Sequence, residues 1–195
     1  MRKTSRFLAS AVALVMVVAS LATPAFADDR TDTGTGSVEG SVALNGTISP
    51  LTISVTHPVN VAYAISPDAE AFTAPDITVT NNTKVAVIAT VASLKATSGG
   101  SLTFADVDPS AKTWHSLNLA DSKKYIALGI AAKAKSGWND GYNTATHWAS
   151  DSAPYQIGTL NSGASGVLNL TADYGLAFDS SYTANHSLVF NFQLA

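Results

Sequence analysis

The chain has 195 residues, 46% of them hydrophobic and 13% charged, with no Cys and a formal net charge of −3. That balance excludes a disordered polyelectrolyte and a disulfide-stapled miniprotein. It also lacks the basic surface that a nucleic-acid binder presents to phosphates, and without Cys both thiol catalysis and a lipoprotein acyl anchor are excluded.

Residues 1–27 have the three regions of a secretory signal peptide. Arg2, Lys3 and Arg6 form a positive start, an uncharged run follows from Phe7 to Ala22, and Pro24 leads to the small-x-small site Ala25-Phe26-Ala27. The apolar run is shorter than the roughly 20 residues of a membrane-spanning helix. The expectation is therefore cleavage after Ala27 and export, with no membrane insertion afterwards. Cleavage removes cations only and leaves the mature chain more acidic. Residues 28–37 are polar and rich in Gly and Thr, a flexible leader. Residues 38–195 are expected to form one domain, since a chain of this size buries about 70% of its unfolded surface. The closing segment Phe190–Ala195 has neither a hydrophobic tail nor a sortase-type motif, which predicts a protein that is free or held non-covalently at a surface.

After the leader the hydrophobic period is two, as in strands with one face buried. The first run, 38–44, leads to Asn45-Gly46, a two-residue hairpin signal. Leu51, Ile53 and Val55 alternate with polar residues over 51–56, and Val59, Val61, Tyr63 and Ile65 alternate over 59–65. The run 77–80 ends at an Asn81-Asn82 turn, and 84–92 carries Val85, Val87, Ala89 and Val91. Ser98-Gly99-Gly100 marks a turn before 101–104. Residues 124–131 are Ala-rich and the nearest approach to a helix, yet read as a buried strand. Runs at 155–160, 166–171 and 187–194 complete a set of nine or ten strands. Pro50, Pro58, Pro67 and Pro75 stand at the edges of runs, where a missing N–H is tolerated. The pattern predicts an all-β antiparallel β-sandwich with Ig-like Greek-key links, with a jelly roll as the close competitor.

Catalytic patterns are missing. His57, His115, His147 and His186 are widely separated and read as turn or surface residues, not metal ligands. The segment Ser162–Gly166 lacks the Gly of a nucleophile elbow and lies between strands. Asp106 and Asp108 precede Pro109 in a predicted turn. Local hydrogen bonding accounts for them, with a Ca²⁺ site as the lesser alternative. The Asn-x-Ser/Thr sequons at Asn45, Asn81, Asn169 and Asn185 read as turn and strand polarity. The expectation is a non-enzyme with no cofactor and no metal.

The segment Ser136–Trp148 is unusual, holding two of the three Trp together with Tyr142 and His147 among turn formers. As a binding surface it is a sugar-stacking platform of Trp138, Tyr142 and Trp148, with His147 beside them and with Asn139 and Asp140 taking hydroxyls. As a structural element it is a crossover whose aromatics plug an open end of the sandwich.

Ile77–Thr83, a strand running into an Asn turn, and the ending Tyr182–Phe192 resemble secreted cell-surface proteins of Gram-positive bacteria, including WxL-type wall-associated domains. The resemblance implies a surface-associated, non-catalytic β-domain. Phe190-Asn191-Phe192 stands where that family has its Trp-x-Leu signature, so peptidoglycan binding is not implied. The leading expectation is a structural protein of the bacterial cell surface or extracellular matrix. It pairs with itself as a homo-oligomer or fibre when a mobile N-terminal strand adds to an open sheet edge. The alternative is an adhesive module that binds cell-wall polysaccharide through the aromatic segment.

Overall fold

Alternation becomes structure where an apolar side meets a second sheet. In the computed structural model, which describes residues 46–195 and Thr35, eleven strands are present among the described residues. The expected signal peptide, leader and 38–44 strand lie outside the described residues, as does Asn45 of the hairpin signal. The strands are β1 (Val55–Thr56), β2 (Ala64–Ser66), β3 (Ala71–Thr73), β4 (Ile77–Asn81), β5 (Val87–Thr97), β6 (Ala105–Asp106), β7 (Tyr125–Ala132), β8 (His147–Trp148), β9 (Tyr155–Leu160), β10 (Ser165–Tyr174) and β11 (Asn185–Leu194). One four-residue α-helix, Leu119–Ser122, precedes β7, with the Asn118 side chain accepting from the Asp121 N–H as its cap. Among the described residues no helix is long and apolar enough to cross a membrane.

Two sheets face each other. The first has the order β1-β4-β10-β7-β6, with β8 also on β7, and the second is β11-β5-β9. A small β2–β3 pair stands apart. All pairings are antiparallel except β6 on β7. The long strands β4, β5, β7, β9, β10 and β11 lie alternately in the first and second sheet, so each hands over across the core. That is the all-β sandwich that the alternation predicts. Ile77 and Val79 of β4, Leu128 and Ile130 of β7, and Leu168 of β10 meet Val87, Val91 and Leu94 of β5 and Ile157 and Leu160 of β9. Full burial of each such side chain contributes about 1.5–3 kcal/mol.

The Ala-rich run is a strand, because β7 lies inside its sheet, between β10 and the short β6 and β8, with residues 126–130 all buried. Three expected strands are corrected. The run 51–56 yields only the two residues of β1, and 59–65 only the last two residues of its span, as part of β2. Leu51 and Ile53 are exposed and Val59 is 97% exposed. Their alternation meets no sheet, and Pro58 removes an N–H between them. The run 101–104 contributes one isolated parallel bridge, Leu102 to Ala184. In the other direction β3, β6 and β8 are too short to carry a visible period.

Asn81 also departs from its expected turn role, being the last residue of β4 and fully buried. Its Nδ2 donates to the carbonyls of Val85, Leu160 and Asn161 at 2.9–3.1 Å, and its Oδ1 accepts from the Thr83 N–H at 2.8 Å. One amide thus ties β4 to the end of β9 in the opposite sheet.

Candidate functional site

Two features stand out: a cleft between the sheets and an open sheet edge. Residues 57–63 run without regular structure across the mouth of the sandwich, between β1 and β2. His57 stacks on Phe192 of β11, with ring centroids 6.1 Å apart and an interplanar angle of 28°. Beyond it Val61 and Tyr63 turn inward onto the core. Between this strap and the 178–184 loop lies a cleft of about 1,030 Å³. Its floor includes Ile77, Leu94, Leu128, Leu170, Leu188 and Phe190, drawn from both sheets. Among the described residues, no Asp, Glu, Lys or Arg lines it.

One wall is a polar chain. The Tyr63 hydroxyl lies 3.1 Å from His186 Nδ1, and His186 Nε2 lies 3.1 Å from Asp106 Oδ1. Asp106 Oδ2 accepts the N–H of Ala96, the residue paired opposite His186, at 2.6 Å. The chain is satisfied with the imidazole proton on Nε2, donated to Asp106, and the phenol donating to Nδ1. It joins the strap to β11, β5 and β6, and the His186 side chain is only 5% exposed. This corrects the expectation that His186 and Asp106 are surface and turn residues: β6 and the start of β11 turn both side chains inward. Burial first, and the Asp106 charge second, push the Tyr63 phenol up to about 12. The phenol stays protonated at neutral pH and is no base there.

Linkage fixes the sign of the consequence. A phenol raised above its ordinary 10.0 stabilises the fold fully below pH 10, and this contribution is lost as pH rises toward 12. The expected result is that Tyr63→Phe flattens the fall in melting temperature over that alkaline window.

The carboxylates of Asp106 and Asp108 diverge. Asp108 Oδ1 accepts from the Ser110 N–H and hydroxyl at 2.8 and 2.5 Å, capping a short 3₁₀ turn, and these bonds hold its carboxyl below the usual range. The Ca²⁺ site weighed for this pair is not assembled. Among the described residues no group of three or more His, Asp or Glu is placed to hold a metal.

The aromatic segment is spent largely on packing. Trp138 is 7% exposed, its Nε1 donating to the Val167 carbonyl at 3.0 Å. Its ring lies over Gly166 of β10, where a Cβ would overlap the indole. Tyr142 covers Gly158 of β9 in the same way. Asn139 is half-buried, its Nδ2 donating to Asn161 Oδ1 at 2.9 Å. Trp148 is half-buried in β8 beside Gly129, and only Asp140 of the six expected site residues is exposed. The segment also covers the outer edge of β9: Asn139 N–H donates to Thr159 at 2.9 Å and Asn143 N–H to Ile157 at 2.7 Å.

His147 is buried and stacks on Tyr155 at 5.0 Å and 18°. Its Nδ1 is 3.6 Å from Asp151 Oδ2, and its Nε2 has no partner among the described residues. Burial lowers its pKa below the ordinary 6.5, against a smaller opposing pull from Asp151. The unfolded chain therefore takes up a proton below pH 6.5 that the folded state resists, and stability falls as pH drops through that range. His147→Phe keeps the ring stack, and melts between about pH 7 and 5 are expected to lose this acid-side slope.

The open edge is β11. It pairs with β5 from Asn185↔Thr97 to Leu194↔Val87, with one register shift at Val189/Phe190. Among the described residues nothing is hydrogen-bonded along its other side. Its ten residues include no Asp, Glu, Lys, Arg or Pro, and Val189 and Leu194 are 46% and 44% exposed. The remaining edges are closed by the 139–143 segment on β9, by β6 and β8 on β7, and by two-residue β1 on β4.

Comparison with protein-family models, with curated proteins and with solved structures gives no match.

Proposed function

We propose that this protein is a secreted structural component of the bacterial cell surface or extracellular matrix, and that it assembles with copies of itself by strand addition to β11. The observation that carries this reading is the unguarded length of that edge. A strand of ten residues presents a row of free N–H and C=O groups, and proteins that remain monomeric blunt such edges with Lys, Pro or short strands. β11 has only one register shift in that role. An added strand gains main-chain hydrogen bonds along the edge and places every second side chain on the core side. The alternating residues 38–44 have the composition of such a donor.

The test is to compare the chain from Asp28 to Ala195 with one lacking residues 28–46, by size-exclusion chromatography and electron microscopy. The expected result is that only the longer chain forms oligomers or fibres. Identical assemblies from both would rule out donation by this segment.

A further inference from the structure

The inter-sheet cleft is a separate feature from the outer edge of β11, although Leu188 and Phe190 of that strand line it. Its volume of about 1,030 Å³ lies just above the range of about 300–1,000 Å³ found for small-molecule pockets. Three properties restrict what it takes. The floor is aliphatic and aromatic, with Leu94, Leu128, Leu188 and Phe190 from opposite sheets meeting at the bottom. The lining has no charged side chain apart from what His57 and His186 carry when protonated, and Asp106 is held behind His186, turned to its Nε2. The polar wall is already paired, with one opening left. Tyr63 spends its proton on His186 Nδ1, so the phenol oxygen keeps lone pairs to accept one further hydrogen bond. Around the mouth, Asn60, Ser181 and Thr183 supply neutral polar groups.

We infer that this cleft binds an uncharged single-chain aliphatic alcohol, with its chain along the Leu94–Leu128–Phe190 floor and its hydroxyl donating to the Tyr63 oxygen. A carboxylate or phosphate head has no cation to pair with there, and taking it out of water unpaired is costly. A pure hydrocarbon leaves the phenol oxygen unused. The strap 57–63 is the element that closes over the ligand. It lies across the mouth outside either sheet and is fastened through His57 on Phe192 and Tyr63 on His186.

The probe is Nile red, a neutral fluorophore, titrated into the purified protein at pH 8. It is then displaced with 1-dodecanol below its solubility limit, and with dodecanoate and dodecylammonium below their micelle concentrations. The expected result is saturable binding of one Nile red per chain, with 1-dodecanol displacing it at concentrations about tenfold lower than either charged analogue. Val61→Trp, which fills the mouth, is expected to abolish Nile red binding. Tyr63→Phe, which removes the acceptor oxygen, should weaken 1-dodecanol about five- to tenfold relative to Nile red measured on the same variant, the worth of one hydrogen bond. Absence of saturable binding to the folded protein, equal displacement by dodecanoate, or full binding by a folded Val61→Trp would each overturn the assignment. The competitor series needs no variant, so it decides the matter even where Val61→Trp fails to fold.

Discussion

Replacing Trp138 by Ala is expected to lower the stability of the fold by about 3–5 kcal/mol, the range for deleting a buried aromatic side chain. The indole lies in the core between β10 and β9, over a glycine whose missing Cβ makes room for it, and its N–H is bonded to the Val167 carbonyl. Truncation removes the ring, leaves a cavity above Gly158 and Gly166, and takes one donor from that carbonyl, which keeps the Lys133 N–H at 2.9 Å. Gly166→Ala approaches the same contact from the other side and should also destabilise, since its Cβ meets the ring. Thermal or urea melts measure both. A sugar-stacking Trp138 would behave differently, with polysaccharide retention lost and the melting temperature nearly unchanged. With Trp138 and His147 buried, a polysaccharide surface on this segment is left with Asn139, Asp140, Tyr142 and Trp148, of which only Asp140 is exposed.

The second large effect is expected at Asn81. Asn81→Ala strips donors from the carbonyls of Val85, Leu160 and Asn161 and the acceptor from the Thr83 N–H. The Asn161 carbonyl keeps the Ala164 N–H, but the Leu160 carbonyl and the Thr83 N–H are buried partners. At about 1–3 kcal/mol for each buried polar group left unpaired, a loss of about 2–5 kcal/mol is expected. Asn81→Asp is the sharper probe. It preserves the shape of the side chain yet sets a carboxylate against three carbonyl oxygens in a fully buried site. At neutral pH it should destabilise more than Ala does, as a buried unpaired charge must. Equilibrium unfolding of the two variants side by side measures the order. An Asp variant as stable as the native chain would contradict the cross-sheet role.

How far these features were legible depends on what alternation encodes. A period of two reports an extended chain with one apolar side, and it succeeded for β4, β5, β7, β9, β10 and β11, where that side faces the opposing sheet. The same period at Leu51, Ile53 and Val59 produced surface chain, because hydrophobic spacing does not say whether a partner strand supplies hydrogen bonds. Asn81 was readable in principle. It keeps step with Ile77 and Val79, so its side chain points to the core, and an amide at a core position must be bonded. Tyr63 likewise keeps step with Val61 and Ile65, and His186 with Leu188. What the sequence does not reveal is that these two side chains, 123 residues apart, meet each other and Asp106. That encounter depends on which sheet each strand joins. For Trp138 the overlooked signal was Gly158 and Gly166 inside strand-like runs, since a glycine within a strand often marks a close approach by another group.

Hydrogen–deuterium exchange along β11 tests most directly whether this edge receives a strand. Amides of residues 185–194 should exchange slowly on one side of the strand and fast on the other in dilute protein. As concentration rises and assemblies form, the fast set is expected to become protected, while amides elsewhere in the sandwich change little. Assembly that leaves the β11 amides as fast as in the monomer would contradict the account.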